Sequence, residues 1–156
     1  MIREAITDDG LSIGMITKNA GVFTQEEVDC VEELWDEYVK NGSLASGYYF
    51  VVDQKNSVLR GYACYGPRSL TEGTYDLYWI AVDLNYRREG VGRQLLDWVE
   101  NDIRQLGGRL VVVETSGLDK YYPTRRFYLA NGYSQDGIVK DFYADGDDLV
   151  LFSKHL

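Results

Sequence analysis

The sequence predicts an α/β (α+β) domain built on one mixed, twisted sheet of about seven strands with helices on both faces. Three observations carry that expectation. "RLVVVET" (109–115) is a near-continuous apolar run, the pattern of a strand covered on both sides. A strand, a loop, an amphipathic helix and that apolar strand follow one another over 74–115, which is a βαβ crossover. Two pairs of strand-like runs, 47–66 and 137–154, are each joined by a short polar turn and read as hairpins.

In chain order, "MIREAI" opens as a short strand, and Asp8 or Asp9 then caps a modest helix over about 10–18. Thr24 with Glu27 fits a capping box for a second helix. Val28, Val31, Trp35 and Tyr38 recur on it at helical spacing until "NGS" stops it near Gly42. "GYYFVVD" (47–53) and "VLRGYACYG" (58–66) are strands linked by "QKNS", and "TYDLYWIAV" (74–82) is a long aromatic and β-branched strand. A helix runs from about Val91 to Gln105 and ends at a Gly-Gly pair. "YPTRRFYLANGY" reads as a helix with Pro123 at its start and Gly132 closing it. The last strands, about 137–144 and 148–154, flank the turn "ADGDD". No repeat, low-complexity segment or linker interrupts residues 1–156, so one domain is expected.

The 25 acidic against 16 basic residues give a net charge of −9, which argues against nucleic acid as the partner because phosphate binding needs the opposite sign. A cationic small molecule or peptide amine suits that charge better. Cys30 and Cys64 form no disulfide or zinc pattern, and His155 is the one histidine, so no metal is expected. Cys64 has no histidine partner and reads as a small buried residue rather than a nucleophile. "MIREAITDDG" lacks the apolar segment of a secretory signal, and no window approaches the ~18 apolar residues of a membrane span. No membrane partner and a cytoplasmic location are the resulting expectations.

The most informative stretch is "WIAVDLNYRREGVGRQLLDWVE" (79–100). A helix begins with unpaired N–H groups and partial positive charge, so an anion is welcome there. Gly90 and Gly92 remove the Cβ atoms that would keep a ligand off the backbone, and Arg87, Arg88 and Arg93 add donors suited to phosphate. The combination is a diphosphate cradle. The dinucleotide fingerprint fails because Leu95 stands where its third glycine belongs, and no Gly-Lys-Ser/Thr triphosphate loop occurs.

"RREGVG" (87–92) matches the Arg/Gln-x-x-Gly-x-Gly/Ala motif of the GNAT N-acetyltransferase superfamily, and "RRFYLANGY" (125–133) resembles that family's FY-x-x-x-G-F/Y helix. The element order agrees along the whole chain. The resemblance implies a mostly antiparallel sheet whose fourth and fifth strands splay apart, with acetyl-CoA as cosubstrate and an amine as acceptor. It puts the diphosphate on Arg88, Glu89, Gly90, Val91, Gly92 and Arg93, with Arg87 opening the motif. The pantetheine arm then falls on main-chain atoms of Ile80, Ala81 and Val82. Tyr121 replaces an asparagine that often contacts the cofactor in the family.

By the same resemblance Tyr128 is the candidate acid for the departing thiolate, against the alternative of a core aromatic beside Phe127. Asp76, four residues before Ile80, stands where the histone-acetylating branch carries a glutamate base; the alternative is a structural carboxylate. Strand alternation places Asp76, Tyr78, Ile80 and Val82 on one face. Tyr48, Tyr49, Tyr65, Tyr78 and Tyr143 are candidates for the acceptor pocket, and most read equally well as half-buried sheet residues. The turn at Asp145–Asp148 is either a greeting for a cationic acceptor or a solvated hairpin tip. The activity expected is acetyl-CoA-dependent N-acetylation, with a non-catalytic acyl-CoA sensor on the same fold as the alternative. Homodimers are common in the family, which makes a homodimer a candidate assembly.

Overall fold

Leu95, Leu96, Val99 and Ile103 form one stripe on a helix over Val91–Gln105, and all four are sealed from solvent. Burying each is worth roughly 1.5–3 kcal/mol, and together they pin the helix to the sheet. That sheet, in a computed structural model describing residues 1–156, has seven strands: β1 (Ile2–Glu4), β2 (Tyr49–Lys55), β3 (Val58–Pro67), β4 (Thr74–Val82), β5 (Leu110–Ser116), β6 (Ser134–Ala144) and β7 (Asp147–His155). Their order is β1-β2-β3-β4-β5-β7-β6. Every neighbouring pair is antiparallel except β4 and β5, which are joined by the stripe-bearing helix and are therefore parallel. With α1 (Gly10–Asn19), α2 (Gln25–Ser46), α3 (Val91–Gln105) and α4 (Tyr122–Ala130), the architecture is the expected one. No helix is long and apolar enough to cross a membrane.

Two cores lie on the two sides of the sheet. One packs Ile13 and Ile16 of α1 and Val31 of α2 against Phe50, Val52, Tyr62, Cys64 and Ala81. The other packs α3 and Tyr128 of α4 against Val51, Leu77, Val111, Val113 and Phe152. Cys64 is fully buried and its thiol is pushed up by burial, as a small core residue would be.

Local chemistry explains where the boundaries moved. The Thr24 hydroxyl accepts from Glu27 N–H, and the Glu27 carboxylate returns the favour to Thr24 N–H, so the capping box forms. Gly42 does leave helical geometry (φ 74°), but a further turn follows and α2 ends at Ser46, before left-handed Gly47. Asp9 does not cap α1; its carboxylate instead takes Ile6 N–H and pairs with Arg3. The β2–β3 hairpin turns on Asn56 and Ser57, both at positive φ, which is the two-residue geometry that matches strand twist. β6 starts at Ser134 rather than near 137, because bulged pairing with β7 tolerates the polar start.

Candidate active site

β4 and β5 pair only at Thr74↔Leu110, Tyr75↔Val111 and Asp76↔Val112. Past that vertex β5 continues along β7 as far as Ser116↔Leu149, while β4 continues along β3 as far as Val82↔Gly61. One edge of β4 from Leu77 to Val82 is therefore without a strand partner inside the sheet. Backbone N–H and C=O groups are seldom left this way unless something else is meant to pair with them. Ile80, Ala81 and Val82 all lie on that open edge.

The ladder also shifts between Cys64↔Trp79 and Tyr65↔Leu77, which leaves Tyr78 as an extra residue in β4. The bulge reverses the side-chain alternation. Tyr75 and Leu77 face the α3/α4 core, Trp79 and Ala81 face the α1/α2 core, and Ile80 and Val82 return to α3/α4. The expectation that Asp76 shares a face with Ile80 and Val82 is thus corrected: Asp76 points to the α1/α2 side, because one inserted residue inverts the period of two. No strand pattern in the sequence signals this insertion.

Beyond Val82 the chain runs through a short 3-10 turn (Leu84–Tyr86), started by Asp83 accepting from Asn85 N–H, and then into α3. Arg88 and Gly90 adopt positive φ, and Gly90 is the N-cap residue. No side chain caps this helix, so the N–H groups at its start stay available. Exposed Arg88 makes no ion pair, and Arg93 only a loose one with Asp97 at 3.8 Å. Gly92 sits beside Val82 and the Phe127 ring, where an added Cβ would lie 3.5 Å from Phe127.

The other two charged residues of the loop serve it structurally. Arg87 donates to the carbonyl of Ala20 at the end of α1. Glu89 accepts from Arg60 at 3.2 Å, and Arg60 in turn pairs with fully buried Asp53 at 2.6 Å. Arg60 and Asp53 carry no sequence signal, yet they anchor the loop to β2 and β3. Arg60→Met should destabilise the protein by about 3 kcal/mol, because buried Asp53 would lose its close guanidinium partner and keep only the Met1 ammonium at 3.4 Å. Denaturant unfolding measures this, and a change below about 1 kcal/mol would show that Arg60 is not the anchor.

Tyr128 is 3% exposed and packs its ring against Phe127, Tyr133 and Phe152. Burial alone raises its pKa well above the usual phenol value. Its hydroxyl makes no hydrogen bond to protein and, unlike that of Tyr133, is not sealed from solvent. The Tyr121 hydroxyl donates to the Glu27 carboxylate at 2.9 Å, so it bridges the end of β5 to the start of α2. Asp76 is buried and accepts from Arg68 at 2.7 Å.

The tyrosines divide between the two faces. Tyr49 and Tyr65 stack with each other on the α3 side, and Tyr65 donates to Asp102. Tyr78 meets Tyr48 edge-on and is pushed up to about 12, by burial first and then by Asp76. Tyr143 is also pushed up to about 12 by burial, with Glu114, Asp147 and Glu27 adding to the effect. At the hairpin tip Asp148 pairs with Lys140 and Asp147 accepts from Ser116, so these carboxylates already have partners. A separate concavity of about 360 Å³ lies under the end of α2, lined by Ile6, Tyr38 and Val39 among others, and no ionised side chain lines it.

Residues 45–135 match the family model described as the acetyltransferase (GNAT) domain. The chain is 27% identical over 141 residues to an uncharacterised N-acetyltransferase of Methanocaldococcus jannaschii, covering 85% of this chain and 88% of that protein. It is 45% identical, at a TM-score of 0.96, to a crystal structure of a protein assigned to the GNAT acetyltransferases in Desulfovibrio desulfuricans, covering 99% of this chain and 98% of the other. It also shares its fold, at a TM-score of 0.78 and 15% identity, with an aminoglycoside 6'-N-acetyltransferase solved with coenzyme A, over 99% of this chain and 96% of that one.

Proposed function

Because the chain belongs to the GNAT acetyltransferase family, we propose that it is an acetyl-CoA-dependent N-acetyltransferase that passes the acetyl group directly to a primary amine. The observation that carries this reading is the free edge of β4, which leads from the vertex at Asp76 to the uncapped start of α3. Unpaired amides followed by an unpaired helix N-terminus suit a ligand with an amide-bearing arm and a diphosphate.

Bound acetyl-CoA supplies a thioester, whose carbonyl carbon is open to attack and whose sulfur departs. The chain's own groups do the rest. The N–H groups of Val91, Gly92 and Arg93, with the side chains of Arg88 and Arg93, bind the diphosphate. Main-chain groups of Ile80, Ala81 and Val82 hold the arm in strand-like pairing. Backbone N–H groups around the Tyr78 bulge face the carbonyl oxygen as negative charge develops on it. Tyr128 donates a proton to the departing sulfur, and its raised pKa keeps that proton in place at neutral pH.

A proton must also leave the acceptor. An amine of pKa about 10.4 is protonated at pH 7 to an extent that costs about 4.6 kcal/mol before attack. Asp76 or a neighbour on the α1/α2 face must take that proton.

Calorimetry and a CoA-release assay test the reading. Acetyl-CoA should bind at least about tenfold more tightly than ATP or NAD, and a screen of amines should release CoA above the buffer rate. Equal affinity for ATP or NAD would point to a nucleotide-binding domain. Tight acetyl-CoA binding with no release from any amine would point instead to an acyl-CoA sensor.

A further inference from the structure

Arg60 is the extra residue of a bulge in β3: the register with β2 passes from Asp53↔Gly61 to Gln54↔Leu59 and skips it. A bulge re-aims the side chain it inserts. Here the guanidinium sets Nε and Nη2 on Asp53 Oδ2, at 2.7 and 2.6 Å, and leaves Nη1 for Glu89 Oε2 at 3.2 Å. The Asp53 side chain is fully buried and that of Arg60 is 9% exposed, so the fork is fixed where it meets the loop. The Arg60 carbonyl also accepts from Asp83 N–H, which ties the same residue to the end of β4.

Two carboxylates lie between β4 and α3, and they differ in freedom. Asp83 is engaged twice by Asn85, whereas Glu89 is 45% exposed and accepts from Arg60 alone. Glu89 directly precedes Gly90, the N-cap of α3. The first bond of that helix runs from Gln94 N–H to the Gly90 carbonyl, so the N–H groups of Val91, Gly92 and Arg93 have no partner within it. A helix start of this kind attracts a nearby carboxylate. Released from Arg60, Glu89 has the charge and the position to fold onto its own helix.

Resting on the acetyl-transfer reading above, we propose that Arg60 is a positioning residue for the cofactor site: it holds the Glu89 carboxylate toward β3, so that the start of α3 stays open to the diphosphate instead of being capped from within. Asp53 is the buried counter-charge that keeps Arg60 in place. This role differs from plain anchoring in one consequence. An anchor is missed whatever charge Glu89 carries. A restraint on Glu89 is missed only while Glu89 is negative.

Calorimetry with acetyl-CoA reads the difference. Arg60→Met should weaken binding about tenfold or more. Glu89→Gln keeps an acceptor for Arg60 but loses the charge, and should tighten binding about two- to threefold. The double variant Arg60→Met/Glu89→Gln should regain most of the loss and return to within about threefold of wild type. Because Arg60→Met also strips buried Asp53 of its close partner, the same comparison is made on an Asp53→Asn background, where no buried carboxylate is left unpaired to threaten the fold. The rescue by Glu89→Gln should appear there too, in variants that circular dichroism shows to be folded. Affinity near wild type in Arg60→Met, or a double variant as weak as Arg60→Met, overturns the inference on either background. If the wild type itself does not bind acetyl-CoA, it is the acetyl-transfer reading that fails.

Discussion

Gly90→Glu is expected to abolish acetyl-CoA binding, with a loss of at least about 100-fold in affinity. Two effects act together. Gly90 sits at φ 78°, where an L side chain costs about 1–2 kcal/mol. The added carboxylate then brings negative charge and bulk to the start of α3, where the diphosphate is to lie. An added Cβ at Gly90 meets only Gln94, at 3.9 Å, so the fold itself should survive. Gly90→Ala separates the two effects, since it keeps the strain and omits the charge; it should weaken binding about tenfold or less. Gly92→Glu should resemble Gly90→Glu, because its Cβ makes only ordinary contact with Phe127 and Val82 and the carboxylate must extend into the same space. Calorimetry with acetyl-CoA measures all three, and circular dichroism confirms folding. Near wild-type affinity in both glutamate variants would remove the loop from cofactor binding.

Tyr128→Phe is expected to lower turnover about 100-fold while leaving acetyl-CoA affinity within about twofold. The substitution deletes one oxygen that has no protein partner, so packing against Phe127, Tyr133 and Phe152 is retained and stability changes little. Because burial raises the pKa of Tyr128, the phenol should stay protonated through neutral and mildly alkaline solution. The wild-type rate should therefore show no decline traceable to Tyr128 between pH 7 and about 10. CoA release read against pH checks both points. Unchanged turnover in Tyr128→Phe would make this residue a core aromatic and nothing more.

Much of the fold was legible in the residues because local pattern and tertiary role agree. β4 and α3 appear at 74–82 and 91–105, as the aromatic and β-branched composition of the one and the amphipathic pattern of the other predict. The loop after β4 also stands out in the residues alone, because glycines and arginines crowd a helix start where few structural needs would gather them. What escaped depends on contacts between distant segments. The Tyr78 bulge arises from the β3–β4 register, which no single strand encodes, and it moved Asp76 to the other face. Arg60 and Asp53 read as ordinary strand residues until the fold pairs them and hands Glu89 to the pair. Arg68 and Glu114 meet only because β4 and β5 part beside them. Arg87 is held by the Ala20 carbonyl and the Glu89 carboxylate by Arg60, contacts that the loop's local pattern does not encode.

The most direct test of the central claim is a crystal structure with coenzyme A bound. The diphosphate should lie against the backbone N–H groups of Val91, Gly92 and Arg93, with the pantetheine arm paired to β4 along Ile80–Val82 and the sulfur near Tyr128. A coenzyme bound elsewhere, or a cradle filled by the protein's own side chains while the edge of β4 stays bare, would contradict it.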